Sequence, residues 1–458
     1  MKISKSTHKK PDKTNFKSKW TKKKQNGGEK LGQGSYGCVI RPPVRCNNNN
    51  LRKEAFEISD NYISKIIKTK FNDVAFSELN IGQKISNIDK NHHYFVPFIN
   101  ACYFIPQKHP DISYINKNGK TLSNTPDINS LSELSDYNLL DFIDYNSEIP
   151  DHIVKENKHK CLLKNDLRYL NLIGPYGGEN LSTILINKKS SHIEYIKNNY
   201  WYIFSYLING LNLLHKKNII HKDIKPLNIV VSFDYENDIQ NELPIINSRF
   251  KYIDFGLTIH LNRKKYLSND ISDLLSDGTH FYTPMNIFAI KFIYKMIKQG
   301  YDIYSRDFLY RLMNKAGKIY QKNRDYYHNE GICNNYFQMN NNSNSYNNNK
   351  SYYLNPFKYE KIFKNILEMY KNNKIEANIQ NYLYGWDIFS LGITLSKIYI
   401  RTGINDSKFK DVIFKMIEQE PEKRITINEL LTISNTIISK KTSKNTSKNT
   451  SKKQPKNI

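Results

Sequence analysis

The chain has little that staples a fold, crosses a bilayer or balances its positive charge. Its five cysteines, Cys38, Cys46, Cys102, Cys161 and Cys333, are scattered over 458 residues, odd in number and without CxxC spacing. That pattern argues against a disulfide framework and a structural zinc site, and for a reducing, intracellular and cytoplasmic setting. No uninterrupted apolar run approaches the ~18 residues that a membrane helix needs. The best stretch, NIFAIKFIYKMI (286–297), is short and broken by two lysines. The first residues are charged and lack an apolar core, so they do not read as a secretory signal. Acids are scarce beside bases, 43 against 69, giving a net charge of +26.

The excess of base is concentrated at the two ends. Residues 1–30 carry a net +9 and residues 436–458 a net +7, leaving +10 for residues 31–435. Lys-rich ends with so few apolar residues cannot offset their ordering entropy, so 1–29 and 436–458 are expected to be disordered tails. They offer contacts to nucleic acid, anionic membrane or acidic proteins. Phe16 and Trp20 are the only aromatics in the first thirty residues, so base stacking is not expected to dominate. Between the tails the chain is rich in Tyr (33) and Phe (22), and with 39% hydrophobic residues it can build a sizeable core.

Strand-like segments come first and helical ones later, which predicts an α+β chain with a sheet-rich lobe followed by a helical one. EKLGQGSYGCVIRPPV (29–44) reads as strand, glycine turn, strand, and NYISKIIK (61–68) as a strand. Residues 73–88 read as a helix with Val74, Leu79, Ile81 and Ile85 on its apolar side, and 94–105 as a strand region. Residues 106–165 are polar and read as an insert. Residues 193–218, 286–325 and 383–400 have helical spacing, and QMNNNSNSYNNNK (338–350) is low complexity.

Four features carry chemistry. In Leu31-Gly32-Gln33-Gly34-Ser35-Tyr36-Gly37-Cys38-Val39 three glycines let backbone approach a phosphate and supply N–H donors. Alone, GxGxxG also opens dinucleotide-binding units, but those need a helix next, and here a strand pattern ended by prolines follows. Lys65 lies mid-strand among isoleucines and needs an anionic partner. Glu78 on the following helix is thirteen residues on, a spacing that favours Lys65 over its rival Lys68. His221-Lys222-Asp223-Ile224-Lys225-Pro226-Leu227-Asn228 sets a base, a cation and a neutral oxygen between two apolar runs. Asp223 is suited to accept a hydroxyl proton, Lys225 to neutralise phosphoryl charge and Asn228 to meet a hard cation. Asp254-Phe255-Gly256 places a carboxylate after an apolar strand. Each feature alone is a common turn or solvated face; their order is not common.

Glycine loop, strand Lys, helix Glu, HxDxKxxxN and DFG follow one another as in the protein kinase family, which this chain resembles over about residues 30–435. The resemblance implies a bilobal kinase fold, with a small lobe over about 30–175 (insert 106–165) and a large lobe over about 179–435 (insert 285–380). It also implies ATP and Mg2+ as cofactors and protein substrates as partners. Lys two after Asp223 resembles the serine/threonine branch. In the implied roles, Asp223 orients and deprotonates the substrate hydroxyl and Lys225 contacts the γ-phosphate. Asn228 and Asp254 hold magnesium, and Lys65 joins phosphates to Glu78. Tyr176, in Tyr176-Gly177-Gly178-Glu179, resembles the hinge that binds adenine through backbone groups. Asp387 resembles a buried Asp of the central large-lobe helix. The Lys/Asn/Ile/Tyr-rich composition and long inserts resemble kinases of large DNA viruses or of AT-rich protists, which would put the chain in a host cytoplasm or virion in the viral case.

The departures define the alternative. Lys222 replaces the usual Arg, and Lys lacks its bidentate fork, so control by phosphate on the activation loop, at Thr279 or Thr283, is in doubt. Ala-Pro-Glu is absent. Thr283-Pro284-Met285 stands nearest, so Arg424 is expected to lose its acidic partner. Gly174 aligns with the side chain that closes the back of the adenine pocket, implying an open pocket that admits bulky N6-substituted ATP. The missing Glu and the large insert motivate a second reading, a pseudokinase or scaffold that binds nucleotide or a partner without efficient turnover.

Overall fold

The computed structural model describes residues 29–33, 37–44, 61–68, 72–104, 112–115, 121–122, 161–164, 169–187, 190–233, 249–261, 271, 275, 282–329, 356–437 and 439. Nearly all of both Lys-rich tails, residues 34–36, most of 106–165 and the Asn-rich 338–350 lie outside them. In chain order the first half holds β1 (Glu29–Gln33), β2 (Gly37–Arg41), β3 (Tyr62–Lys68), α1 (Asn72–Ile88), β4 (Asn100–Phe104), β5 (Ile112–Ile115), β6 (Thr121–Leu122), β7 (Cys161–Lys164) and β8 (Tyr169–Pro175). Five of these strands form an antiparallel sheet in the order β1-β2-β3-β8-β4, and β6-β5-β7 form a separate one. Isoleucines at 63, 66 and 67 suit β3 to a pleated, buried surface. Helix α1 packs on that sheet through Ala75, while Ile81 and Ile85, at one-face spacing from it, join the large core around Phe95 and Phe255. Glu78 sits in the middle of the same buried stripe.

The second half begins with β9 (Glu179–Asn180), α2 (Leu181–Asn187), α3 (Ser190–Lys216), β10 (Ile219–Ile220), β11 (Ile229–Ser232), β12 (Arg249–Tyr252) and β13 (Ile259–His260). Then come α4 (Met285–Lys298), α5 (Arg306–Asn329), α6 (Pro356–Lys371), α7 (Ile375–Thr402) and α8 (Ser407–Met416). Helices α3 and α7 form the centre, with Leu207, Leu211 and Leu214 in one core with Leu391, Leu395 and Ile398. A second core joins α4, α5 and α6 to α7 through Ile290, Phe308, Leu312, Phe363, Leu383 and Trp386. The described part of the 285–380 insert is therefore packed helix. Helix α6 is absent from the elements expected above, although Tyr359, Ile362, Phe363, Ile366 and Leu367 have helical spacing.

Two expectations are overturned here, and a third, the loss of an acidic partner for Arg424, has a compensation the sequence did not disclose. Cys38 and Cys161 form a disulfide with Cα atoms 6.0 Å apart, tying β2 to β7 across 123 residues. Spacing could not disclose it, because the partner arrives through the insert. Arg424 is not stranded: buried, it donates to the carbonyls of Glu418 (2.7 Å) and Gly385 (3.0 Å) and reaches Asn286 Oδ1 at 3.5 Å. Main-chain dipoles thus stand in for the missing carboxylate, and burial holds its pKa down at about 10. Thr283 is 2% exposed, packed ahead of α4, so in this arrangement it presents no hydroxyl for phosphorylation; Thr279 lies outside the described residues.

Peptide mapping of alkylated, non-reduced protein should recover Cys38 linked to Cys161. Opening the pair by Cys38→Ser should destabilise the chain by about 5 kcal/mol, the loop-entropy value for so long a closed loop. Asn286 Nδ2 is buried without a partner. Asn286→Asp should replace that donor and give Arg424 a carboxylate, stabilising the fold by about 1 kcal/mol or more, read as a higher Tm; a lower Tm would count against the account of Arg424.

Candidate active site

The β3 cation gathers three segments. Lys65 is 7% exposed, and its Nζ bonds Glu78 Oε1 (3.0 Å), Glu78 Oε2 (2.8 Å) and Asp254 Oδ1 (2.8 Å). Lys68, three residues on, falls on the opposite face of the strand. Val39 of β2 and Leu172 of β8 stand directly opposite Lys65 and share its face. The Cys38 side chain turns to the other face, into the disulfide. It does not line this cleft, a correction to the expected contact set. Leu31, Gly32 and Gln33 lie on β1 and Gly37 opens β2, while Gly34, Ser35 and Tyr36 are outside the described residues.

Charge balance follows from this geometry. Burial alone would depress Lys65, but Asp254 and Glu78 hold its ammonium above the ordinary lysine range. Burial raises Glu78 to about 7 against the pull of Lys65. Burial would raise Asp254 too, yet Lys65 outweighs it and keeps this carboxyl below its ordinary range. Asp254 has a left-handed backbone, φ 63°, a conformation that short polar residues tolerate best.

The 221–228 segment is held from both sides. β10 pairs with β13 and β11 with β12, so apolar ladders flank the polar turn. Beneath it Asp387 of α7, fully buried, accepts from His221 N (2.8 Å), Lys222 N (2.8 Å) and His215 Nε2 (3.1 Å). Pro226–Asn228 form a 3-10 turn. It brings Lys225 Nζ to Asp223 Oδ2 at 2.8 Å and Asn228 Nδ2 to Asp223 Oδ2 at 2.8 Å. Ile253 N donates to Asn228 O (3.0 Å), which sets Asp254 beside the same turn. Asp223, Lys225, Asn228, Asp254, Lys65 and Glu78 are thereby collected along one cleft between the lobes. The Lys222 ammonium lies 5.7 Å from the Trp386 ring centroid, buried against the central helix.

Two readings of β8 change. Tyr176 N donates to Asn61 O at 2.7 Å, toward β3, so its amide does not face the cleft. Because the Tyr176 amide turns toward β3, the Pro175 carbonyl of the same trans peptide turns to the opposite side, past Ile173 where β4 stops pairing. Which amide of this segment turns to the cleft depends on its partner strand, which the sequence alone does not disclose. Gly174 opens no pocket either. A methyl group there would sit 2.9 Å from Pro97 O and 3.1 Å from Phe98 Cδ1, because the neighbouring segment has moved into the space.

With this geometry in place the comparisons are specific. The family model for the protein kinase domain matches residues 147–434, well over half of the chain. The chain belongs to the protein kinase family. The match begins beyond Lys65 and Glu78, so their place in the site rests on their bonds to each other and to Asp254. The calcium-dependent protein kinase 4 of Plasmodium falciparum (isolate 3D7) is similar at 29% identity over 132 residues, 29% of this chain. That of Plasmodium berghei (strain Anka) is similar at 28% over the same length. The similarity spans about a fifth, 21%, of the length of these two relatives. Among the described residues no helix is long and apolar enough to cross a membrane.

The elevated Glu78 gives a sign to pH dependence. Its folded-state pKa lies above the ordinary carboxyl value, so the fold favours the protonated form. Stability from this group is full below the ordinary value and declines as pH rises to about 7. In denaturant titrations the stability of the natural chain relative to Glu78→Gln should therefore fall between about pH 4.5 and about 7; a difference that rises over that window would refute the assignment.

Proposed function

We propose that this protein kinase transfers the γ-phosphate of ATP to serine and threonine hydroxyls of protein substrates. The observation that carries the reading is the Asp223 carboxylate held within 2.8 Å by both Lys225 and Asn228, in a turn anchored from below by Asp387. A carboxylate fixed at a cleft is placed to orient a substrate hydroxyl and take its proton, and the adjoining lysine to compensate phosphoryl charge. Lys65, bracketed by Glu78 and Asp254, is the cation for the α- and β-phosphates. The Pro175 carbonyl and Gly177 amide are the hinge groups for the base. Lysine two residues after the acid favours serine/threonine over tyrosine.

The donor set fits magnesium. Asn228 gives its amide hydrogens to Asp223, leaving Oδ1 as an oxygen donor, and Asp254 adds a carboxylate whose side chain is 41% exposed. These are hard ligands of the kind that share Mg2+ with phosphate oxygens. Bound there, the ion would supply charge compensation for the phosphates. Arg424, satisfied by carbonyls, removes one reason for reading the chain as a decayed kinase.

Labelled γ-phosphate should pass from Mg-ATP to the protein itself and to histone or myelin basic protein, with phosphoserine and phosphothreonine as products. Asp223→Asn should lower the rate about 10^3-fold or more. Nucleotide binding without transfer would overturn the enzyme reading and leave a nucleotide-binding scaffold; phosphotyrosine alone would overturn the specificity.

A further inference from the structure

Segment 94–99 crosses the back of the cleft, between α1 and β8, and is fixed at both ends. The Asp89 carboxylate accepts from the amides of His93 (2.9 Å), Tyr94 (2.8 Å) and Phe95 (3.1 Å). Tyr94 O and Val96 N bond the two sides of Tyr252 on β12, and Ile99 N bonds Ile173 O on β8. Two glycines from distant parts of the chain admit it. A methyl group at Gly82 of α1 would lie 2.1 Å from Phe98 O, and one at Gly174 would lie 2.9 Å from Pro97 O. The Phe98 side chain, 8% exposed, is thereby set among Ile67, Ala75, Leu170 and Leu172, with Lys65 Nζ 5.7 Å from its ring centroid.

We propose that Phe98, supplied by this crossing segment and not by β8, sets the size limit of the pocket behind the nucleotide base. The proposal rests on the ATP reading above. Pro175 C=O and the Gly177 amide place the base next to Gly174. The volume that glycine leaves is taken by the Phe98 ring, so a substituent on the exocyclic amine runs into a side chain whose backbone cannot retreat. Interiors are close-packed, and such an overlap is relieved only by removing atoms.

The test measures binding of ATP and of N6-benzyl-ATP to the natural chain, Phe98→Ala, Phe98→Leu and Leu172→Ala, with Tm taken for each. The natural chain is expected to bind ATP and discriminate against the benzyl analogue. Phe98→Ala should lower that discrimination by about tenfold or more, and Phe98→Leu by a smaller factor. Leu172→Ala empties the same cluster from β8 and should leave the discrimination near its original value. Analogue binding as tight as ATP by the natural chain overturns the proposal without any variant. So does discrimination unchanged in the Phe98 variant that still binds ATP, or an equal gain in Leu172→Ala. Failure of the natural chain to bind ATP at all removes the kinase reading, and the proposal with it.

Discussion

A single buried ammonium organises the cleft. Lys65 sits in the middle of a strand whose neighbours are isoleucines, where an uncompensated charge is not tolerable. Its two partners come from elsewhere, Glu78 from α1 and Asp254 from the turn after β12. Strand, helix and turn therefore reach their relative positions together or leave a buried charge unpaired, at a cost of about 3–5 kcal/mol when one partner of such a pair is removed. The left-handed Asp254 is held in this unusual conformation by the same bond. Stability and chemistry draw on one group, which makes the cleft well defined.

Two buried charges of the large lobe are satisfied differently, and the difference matches their tasks. Asp387 takes two backbone amides and an imidazole; Arg424 gives its guanidinium to carbonyls. Both bind main chain, which has no rotamers to exchange, and both hold loops in place. Lys65 binds only carboxylates, whose oxygens are chemically close to those of a phosphate. A side-chain ion pair can exchange one partner for a ligand at little net cost, whereas a main-chain anchor cannot. The scaffold beneath Asp223 is thus fixed, and the part above it is able to accept an anion.

The geometry of the cleft was legible where it is local. Asp223, Lys225 and Asn228 lie within six residues, and Lys65 and Glu78 are separated only by a turn, so spacing is enough to propose that they meet. The long amphipathic helices were legible from their period, and α6 was equally so in its apolar stripe. What escaped depends on which segment arrives as a neighbour. The Cys38–Cys161 pair is closed by an insert. The Tyr176 amide is directed by its register with Asn61. Thr283, a candidate phosphorylation site in the sequence, is buried where α4 packs directly after it.

Gly174 shows the general reason. In a sequence a glycine reads as missing volume, and so as a pocket. In an interior packed to the density of an organic crystal missing volume is filled by whatever backbone can reach it. Gly82 and Gly174 are matched in this way, each removing the atoms that would keep residues 97–98 at a distance. The helix that carries Glu78 and the strand that leads to the hinge therefore touch the same two residues. A rotation of α1 large enough to withdraw Glu78 from Lys65 must drag the Phe98 backbone with it or break contact at Gly82. The position of the ion pair and the shape of the wall behind the cleft are mechanically coupled, by contacts that neither glycine discloses until the other is seen.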